Sequence, residues 1–397
     1  MGSFAQGRAV LAIPGPSPVP DRVLRAMHRA SPDIYGPELA AENRAMIAGL
    51  KRLAGTAGHV APYIGNGHAG WEAANVNLLD RGERALALVS GHFGRSWAAS
   101  ARALGIEVEE LDFDLAPPDP QRLADRLAQD REGRIRAVLV CQVDTASSAR
   151  ADIPALRAAM GDHPVFLAVD AIASLGCEPM RMDEWGVDLL VSASQKGLMV
   201  PPGLTFVWFS DRVKARARSG LATPYWDWTP RAEAEELWQF WGGTPPVQHI
   251  FGLNEALHIL LDEETLPAAW ARHEGLAQAT WAALDHWGAG GHGIGPLIAD
   301  PAGRARSVTA ARLPNAAALR EWTAAKAGVT LGIGLGAPDP DNALRIAHMG
   351  HANAHQLLGV LAVIEAGMAA LSIPHGKGAL EAAAAEIARL AHHHHHH

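Results

Sequence analysis

Two short apolar runs constrain this chain more than any other part of it. Phe166-Leu-Ala-Val-Asp170 continues into Ala-Ile172-Ala-Ser, and Asp188-Leu-Leu-Val-Ser-Ala-Ser-Gln195-Lys196-Gly leads on to Pro201-Pro202-Gly203. Each run has the length of a buried strand and delivers a charged side chain at its end, a carboxylate first and an ammonium second. Ligands bind outside the carboxyl ends of the strands in an open α/β sheet. Asp170 and Lys196 are therefore expected to converge on one crevice. A buried structural Asp–Lys pair is the other reading of the same residues.

The rest of the chain repeats this alternation. Helical stretches over 20–30, 38–54 and 69–79 precede a strand near 85–89. A helix over 95–104, a strand near 106–111, a helix over 120–130 and a strand over 137–143 follow. A helix over 152–160 and strands at 165–169, 187–193 and 204–209 close the series. Strands separated by helices predict an α/β fold, a mostly parallel sheet between helices. The opening Leu11-Ala-Ile-Pro14-Gly15-Pro16-Ser17-Pro18 is too rich in proline for regular structure and reads as an extended arm, residues 1–20. A large domain over 21–255 ends beneath a segment dense in tryptophan and proline, Tyr225 to Pro246. A helix over 247–262 leads into a smaller C-terminal α+β domain, 256–391, with strands near 307–313 and 343–348. His392 to His397 read as a purification tag.

A formal net charge of −8 with no long basic cluster argues against nucleic acid as a partner. Cys141 and Cys177 are the only cysteines, which disfavours a disulfide framework and makes the cytoplasm the expected compartment. The N-terminus lacks a secretion pattern, and the apolar stretch 357–371 is too short to span a bilayer, so no membrane partner is expected. The histidines are scattered, with no H-E-x-x-H and no Cys/His cluster, so no metal is expected.

Gly65-Asn66-Gly67-His68-Ala69-Gly70 matches G-x-G-x-x-G between a strand-like 60–64 and a helix. The acidic residue of a dinucleotide site is missing from the next strand, which ends in Ser90-Gly91. What remains is a glycine-bordered helix start suited to a phosphate, or a structural turn. Phe93, read as ending a strand, is either a stacking face for an aromatic ring or a core residue. Thr145 offers a hydroxyl at the same sheet edge, or a helix N-cap. Arg345, in a strand of the smaller domain, is either a bidentate carboxylate binder or an ion-pair residue. A lysine that forms a Schiff base, with an aspartate that keeps a pyridinium nitrogen protonated, is what pyridoxal phosphate asks of a protein.

On these residues the sequence resembles the class V aminotransferases of PLP fold type I, in the alanine/serine–glyoxylate group. The likeness runs from Pro14-Gly15-Pro16 to the Arg345 stretch, with Ser194-Gln195-Lys196 and Pro201-Pro202-Gly203 its most specific part. The resemblance implies that Lys196 is the Schiff-base lysine and Asp170 the partner of the pyridine nitrogen. It implies that Ile172 and Phe93 sandwich the ring and Thr145 reaches its 3-hydroxyl. Gly67, His68 and Gln195 hold the phosphate, with Thr244 reaching it from the neighbouring subunit of a homodimer with shared active sites. Arg345 takes the substrate carboxylate, in a pocket shaped around Gly15, Tyr35 and Asn66. The chain departs from the group at Gln142 and Asp144, where His and Glu are usual, at Ser148 for a glycine, and at Trp241 for a phosphate-binding tyrosine.

The implied activity is transfer of an amino group from a small amino acid, alanine, serine or similar, to glyoxylate or pyruvate. The alternatives are pyridoxamine–pyruvate transfer or a PLP-dependent lyase. Pyridoxamine–pyruvate aminotransferase carries a charged residue where Asn66 stands and an arginine near Gly334. Two rivals of other classes are a nucleotide-binding oxidoreductase built on Gly65–Gly70 and a PLP-bound regulator without turnover.

Overall fold

The computed structural model describes residues 2–393; His394 to His397 of the expected tag lie outside it. Strands β1 (Val10–Ala12), β2 (His59–Gly65), β3 (Arg84–Val89), β4 (Glu107–Asp112), β5 (Ile135–Cys141), β6 (Val143–Asp144) and β7 (Ala149–Arg150) occupy the first part of the chain. They are followed by β8 (Phe166–Asp170), β9 (Leu189–Ala193), β10 (Gly203–Phe209), β11 (Gly295–Pro296), β12 (Val308–Arg312), β13 (Val329–Ile333) and β14 (Ala343–Ala347). Seven of these form a sheet in the order β2-β10-β9-β8-β5-β3-β4. Neighbours in it run parallel except β10, which is antiparallel to both β2 and β9.

Alternate residues of its central strands enter different cores. Leu86, Leu88, Val138, Val140, Leu167 and Val169 pack on one face, and Ala85, Ala87, Ala137, Leu139 and Ala168 on the other. Successive side chains of a strand point to opposite faces, so a strand covered on both must be apolar throughout. That is why these runs show no polar alternation. It also leaves the strand ends as the one place where Asp170 can meet a ligand.

The second sheet has the order β1-β13-β14-β12-β11 and is antiparallel apart from β1 with β13. Helices Leu266–Gly288 and Ala354–Ala370 cover it through Leu276, Trp287, Leu361 and Ile364, packed with Leu344 and Ile346.

Three expectations change. Val10–Ala12 is not irregular, because these residues precede the prolines and pair with Val329–Leu331. β13 was not anticipated, its apolar run being broken by Thr330 and Gly332. The helix expected at 95–104 starts at His92. Its first-turn amide on Gly94 is capped by the Asp144 side chain, which accepts its hydrogen bond at 3.0 Å. A cap supplied from 50 residues away in sequence leaves no local start signal.

Candidate functional site

Asp170 ends β8 and is 3% exposed. Its Oδ1 accepts the Ile172 amide at 2.8 Å and its Oδ2 accepts the Trp71 indole N–H at 2.8 Å. The Cys141 thiol, at the end of neighbouring β5, approaches Oδ2 at 3.7 Å. Burial pushes the carboxyl up to about 6, against the pull of the Ile172 and Trp71 donors.

Lys196 lies two turn residues beyond β9. Burial, reinforced by the Arg345 charge, brings its amine down to about 8, while Asp170 opposes the fall. The ammonium donates to the Pro14 carbonyl. The arm is stitched to the same turn, with the Ser17 amide donating to Gln195 O at 2.8 Å and the Ser17 hydroxyl to Lys196 O at 2.6 Å. Gly15 sits at φ 121°, a conformation that favours glycine, and brings the arm's backbone against the Lys196 side chain.

Gly67, His68, Phe93 and Thr145 border one cavity together with Asp170, Ile172, Gln195 and Lys196. Trp71 and Val143, which the motifs did not single out, complete its lining. Helix Gly67–Leu78 aims its start at this space. The Asn66 side chain caps it by accepting from Ala69 N, which leaves the Gly67 and His68 amides without an intrahelical acceptor. A Cβ on Gly67 would stand 2.7 Å from Ile172 Cδ1, so the glycine allows helix and strand end to close on each other. Phe93 sits in the first turn of helix His92–Ala103 and not at a strand end, because β3 stops at Val89.

The far wall is the β6–β7 hairpin. Thr145 lies in its turn and caps no helix; Asp152 caps the next one. The Thr145 carbonyl accepts from Arg345 Nη1 at 3.1 Å, and Ile333 O accepts from Arg345 Nε at 2.8 Å. Arg345 is 7% exposed. Burial lowers its guanidinium to about 10. Ser148, at φ 62°, accepts the Ala310 amide on its Oγ and the Ala305 amide on its carbonyl, tying the hairpin to β12.

The departures at Gln142, Asp144 and Trp241 are structural. The Gln142 amide is occupied by Ser174 Oγ and Pro179 O. Asp144 accepts from Gly94 and Ala146. Trp241 is buried, its indole donating to Asn43 at 2.9 Å. Thr244, Tyr35 and Asn66 are exposed and do not border the cavity. The sequence reading missed Trp71, Pro14 and the Asp144 cap. Trp71 falls one turn after Gly67 on a cavity-facing helix, and that spacing was the available signal.

Residues 63–313 match the aminotransferase class-V family. Serine–glyoxylate aminotransferase of Methylorubrum extorquens is 33% identical over 373 residues, 90% of this chain and 90% of that protein. L-aspartate–glyoxylate aminotransferase of Paracoccus denitrificans is 32% identical over 385 residues, 94% of each. The structure of pyridoxamine–pyruvate aminotransferase from Mesorhizobium loti superposes with a TM-score of 0.86 at 27% identity, covering 96% of this chain and 97% of that one.

Proposed function

The chain belongs to the class V aminotransferases, and from that premise we propose that it uses pyridoxal 5'-phosphate to move the amino group of a small amino acid, alanine, serine or similar, to glyoxylate or pyruvate. The observation that carries the reading is a buried carboxylate, Asp170, and a buried amine, Lys196, converging on one cavity at the strand ends.

The donor set fits that cofactor. The Gly67 and His68 amides suit a phosphate at a helix start. Gln195 lines the same cavity, and its side-chain amide carries N–H donors suited to phosphate oxygens. Asp170 has acceptor capacity for a protonated ring nitrogen, and Ile172 and Phe93 supply apolar surface for a ring. When bound, the cofactor supplies an aldehyde that exchanges amines and a pyridinium ring that takes up carbanion charge.

The chain's own residues do the rest. Asp170 holds the ring nitrogen protonated. Lys196 Nζ, shifted toward neutrality by burial, carries a proton to and from the substrate Cα as general acid and base. Arg345 has its Nε and one Nη1 donor on carbonyls, and its other N–H groups are left for a substrate carboxylate. Gly15 and Pro14 bring the arm against Lys196 and limit the room for a donor side chain. Gly334 favours this reading over pyridoxamine–pyruvate transfer. A Cβ there would stand 2.7 Å from Pro340 O and 2.8 Å from Ala343 O, so an arginine at that position has no space.

A homodimer with shared sites belongs to the same reading, with the exposed Thr244 reaching the neighbouring subunit's phosphate. So does the division into an arm (1–20), a large domain (21–255) and a small one (256–391), the β1–β13 pairing linking the first to the last. Two buried free cysteines support a cytoplasmic setting; no described helix is long and apolar enough to cross a membrane. The test is a panel of amino donors, pyridoxamine included, assayed against glyoxylate and pyruvate. Turnover with no amino acid donor overturns the reading.

A further inference from the structure

We propose that Trp71 is a positioning residue for Asp170: its indole N–H, with the Ile172 amide, fixes the carboxylate in an ionised, acceptor-only orientation at the cavity. The inference rests on the aminotransferase reading, in which Asp170 receives a protonated ring nitrogen. An ionised carboxylate offers about four lone-pair sites. Ile172 N occupies one on Oδ1, and Trp71 Nε1 and the weaker Cys141 thiol occupy those of Oδ2. The remaining capacity is left for a donor in the cavity.

Packing holds the indole in this orientation independently of Asp170. Trp71 lies parallel to Trp97, with ring centroids 6.5 Å apart and planes 7° from parallel, and His68 packs edge-on against it at 4.7 Å. Trp97 is fixed in turn by its own indole donating to Asn75 Oδ1 at 2.9 Å. Each N–H donated to a carboxylate favours the charged form, whereas burial favours the neutral acid. A neutral Asp170 would present a competing proton to the ring nitrogen. Titratable groups around Asp170 are Cys141 on β5, Asp144 on β6, Lys196 beyond β9 and His68, which borders the same cavity from the Gly67–Leu78 helix. Asp144 opposes ionisation of Asp170, and Lys196 favours it. Trp71 is the one uncharged side-chain N–H among the donors to this carboxylate.

The experiment compares the full chain with Trp71→Phe, which keeps a ring against Trp97 and removes the donor. Asp-labelled 13C carboxyl NMR follows the titration of Asp170, its signal assigned by Asp170→Asn. Equilibrium binding of pyridoxal phosphate is measured over the same pH range. Trp71→Phe should raise the Asp170 midpoint by about one pH unit and weaken cofactor binding about tenfold near neutrality, one unit being a factor of ten. Cys141→Ala should move the midpoint by less than roughly half a unit, the thiol being a weak donor. In an Asp170→Asn background, Trp71→Phe should leave the pH dependence of binding unchanged, as coupling through one carboxylate requires. An unmoved midpoint in a folded Trp71→Phe protein overturns the proposal and makes Trp71 a packing residue. If the wild-type chain takes up no pyridoxal phosphate at any pH, the aminotransferase reading fails instead. The carboxyl titration still decides the Trp71–Asp170 coupling in that case.

Discussion

The cavity's floor and its far wall are built on different principles. The floor comes from one continuous sheet: β8 delivers Asp170, and the turn after adjacent β9 delivers Lys196, each a short step along the chain from a fully buried strand. The wall joins parts remote in sequence. Arg345 on β14 is held by the Thr145 carbonyl, 200 residues away, and Ser148 on the same hairpin grips β12. Sheet topology brings the floor groups to one edge, where Trp71 and the arm orient them. The wall groups depend on side-chain-to-backbone hydrogen bonds between two sheets, which single substitutions can loosen. Floor substitutions should therefore abolish chemistry with the wall intact, and wall substitutions should change substrate binding with the chemistry intact.

The largest effect belongs to Lys196→Ala. On the proposed function anchor and proton carrier are lost together, so transamination should fall by more than roughly 10,000-fold, general acid–base catalysis alone being worth about 100- to 10,000-fold. Circular dichroism and the melting temperature should stay close to wild type. Near-wild-type turnover in the purified, cofactor-loaded variant would falsify the assignment of the floor.

Asp170→Asn should keep some cofactor and lose most activity, and it also carries a stability signature. The carboxyl titrates near 6 in the folded chain against an ordinary 3.8, because burial penalises its charge. A raised carboxyl means that the folded state holds its proton more tightly than the unfolded one. That contribution to stability is complete below about 3.8 and is lost as pH rises through about 6. Denaturant unfolding of the cofactor-free chain should show this component between those values, and Asp170→Asn should lack it. Equal pH slopes in the two proteins would show that Asp170 is not desolvated as described.

The contrast also explains what the sequence made legible. Asp170 and Lys196 could be placed from the sequence because a strand buried on both faces is a run of apolar and small residues, and the first charge after its start marks where it ends. The Phe93 error has the opposite cause. The helix His92–Ala103 starts on a cap from Asp144, so nothing beside Phe93 announces a helix. β1 and β13 are short or diluted by Thr330 and Gly332, and they pair across the whole length of the chain. Arg345 was found as a residue type in a strand. Its carbonyl clamp was not legible, because main-chain acceptors carry no sequence signature.

Arg345→Leu tests the wall directly. On the proposed function one guanidinium serves the carboxylates of donor and acceptor alike, so both Michaelis constants should rise. Truncating one member of a buried hydrogen-bonded charge pair costs about 2–5 kcal/mol, or about 30- to 4000-fold in kcat/KM. An amine donor without a carboxylate should be much less affected. Equal losses for both donor types would make Arg345 a structural clamp for the hairpin and leave the carboxylate anchor unidentified.

Thr244→Ala should weaken cofactor affinity while sparing donor preference, if its hydroxyl serves the neighbouring subunit's phosphate. Loss of one hydrogen bond to a charged group is worth about 1.5–3 kcal/mol, roughly 10- to 150-fold in dissociation constant. Unchanged affinity in a protein that sediments as a dimer would remove Thr244 from the site.

The smallest effect separates two roles of Ser148. Its Oγ accepts the buried Ala310 amide at 3.1 Å, while its backbone sits at φ 62°, where a side chain is strained and glycine is not. Ser148→Ala strands the Ala310 amide and keeps the strain, so unfolding free energy should fall by about 1–3 kcal/mol. Ser148→Gly strands the same amide but relieves a left-handed conformation worth about 1–2 kcal/mol, so it should lie nearer wild type. Because the hairpin turn also holds Arg345 through Thr145, both variants should raise KM for carboxylate donors more than they lower kcat. If Ser148→Gly is instead the less stable of the two, hydrogen bonding and strain at this residue do not oppose each other as argued. If kcat falls and KM stays fixed, the hairpin acts on the floor, and the separation of floor from wall is wrong.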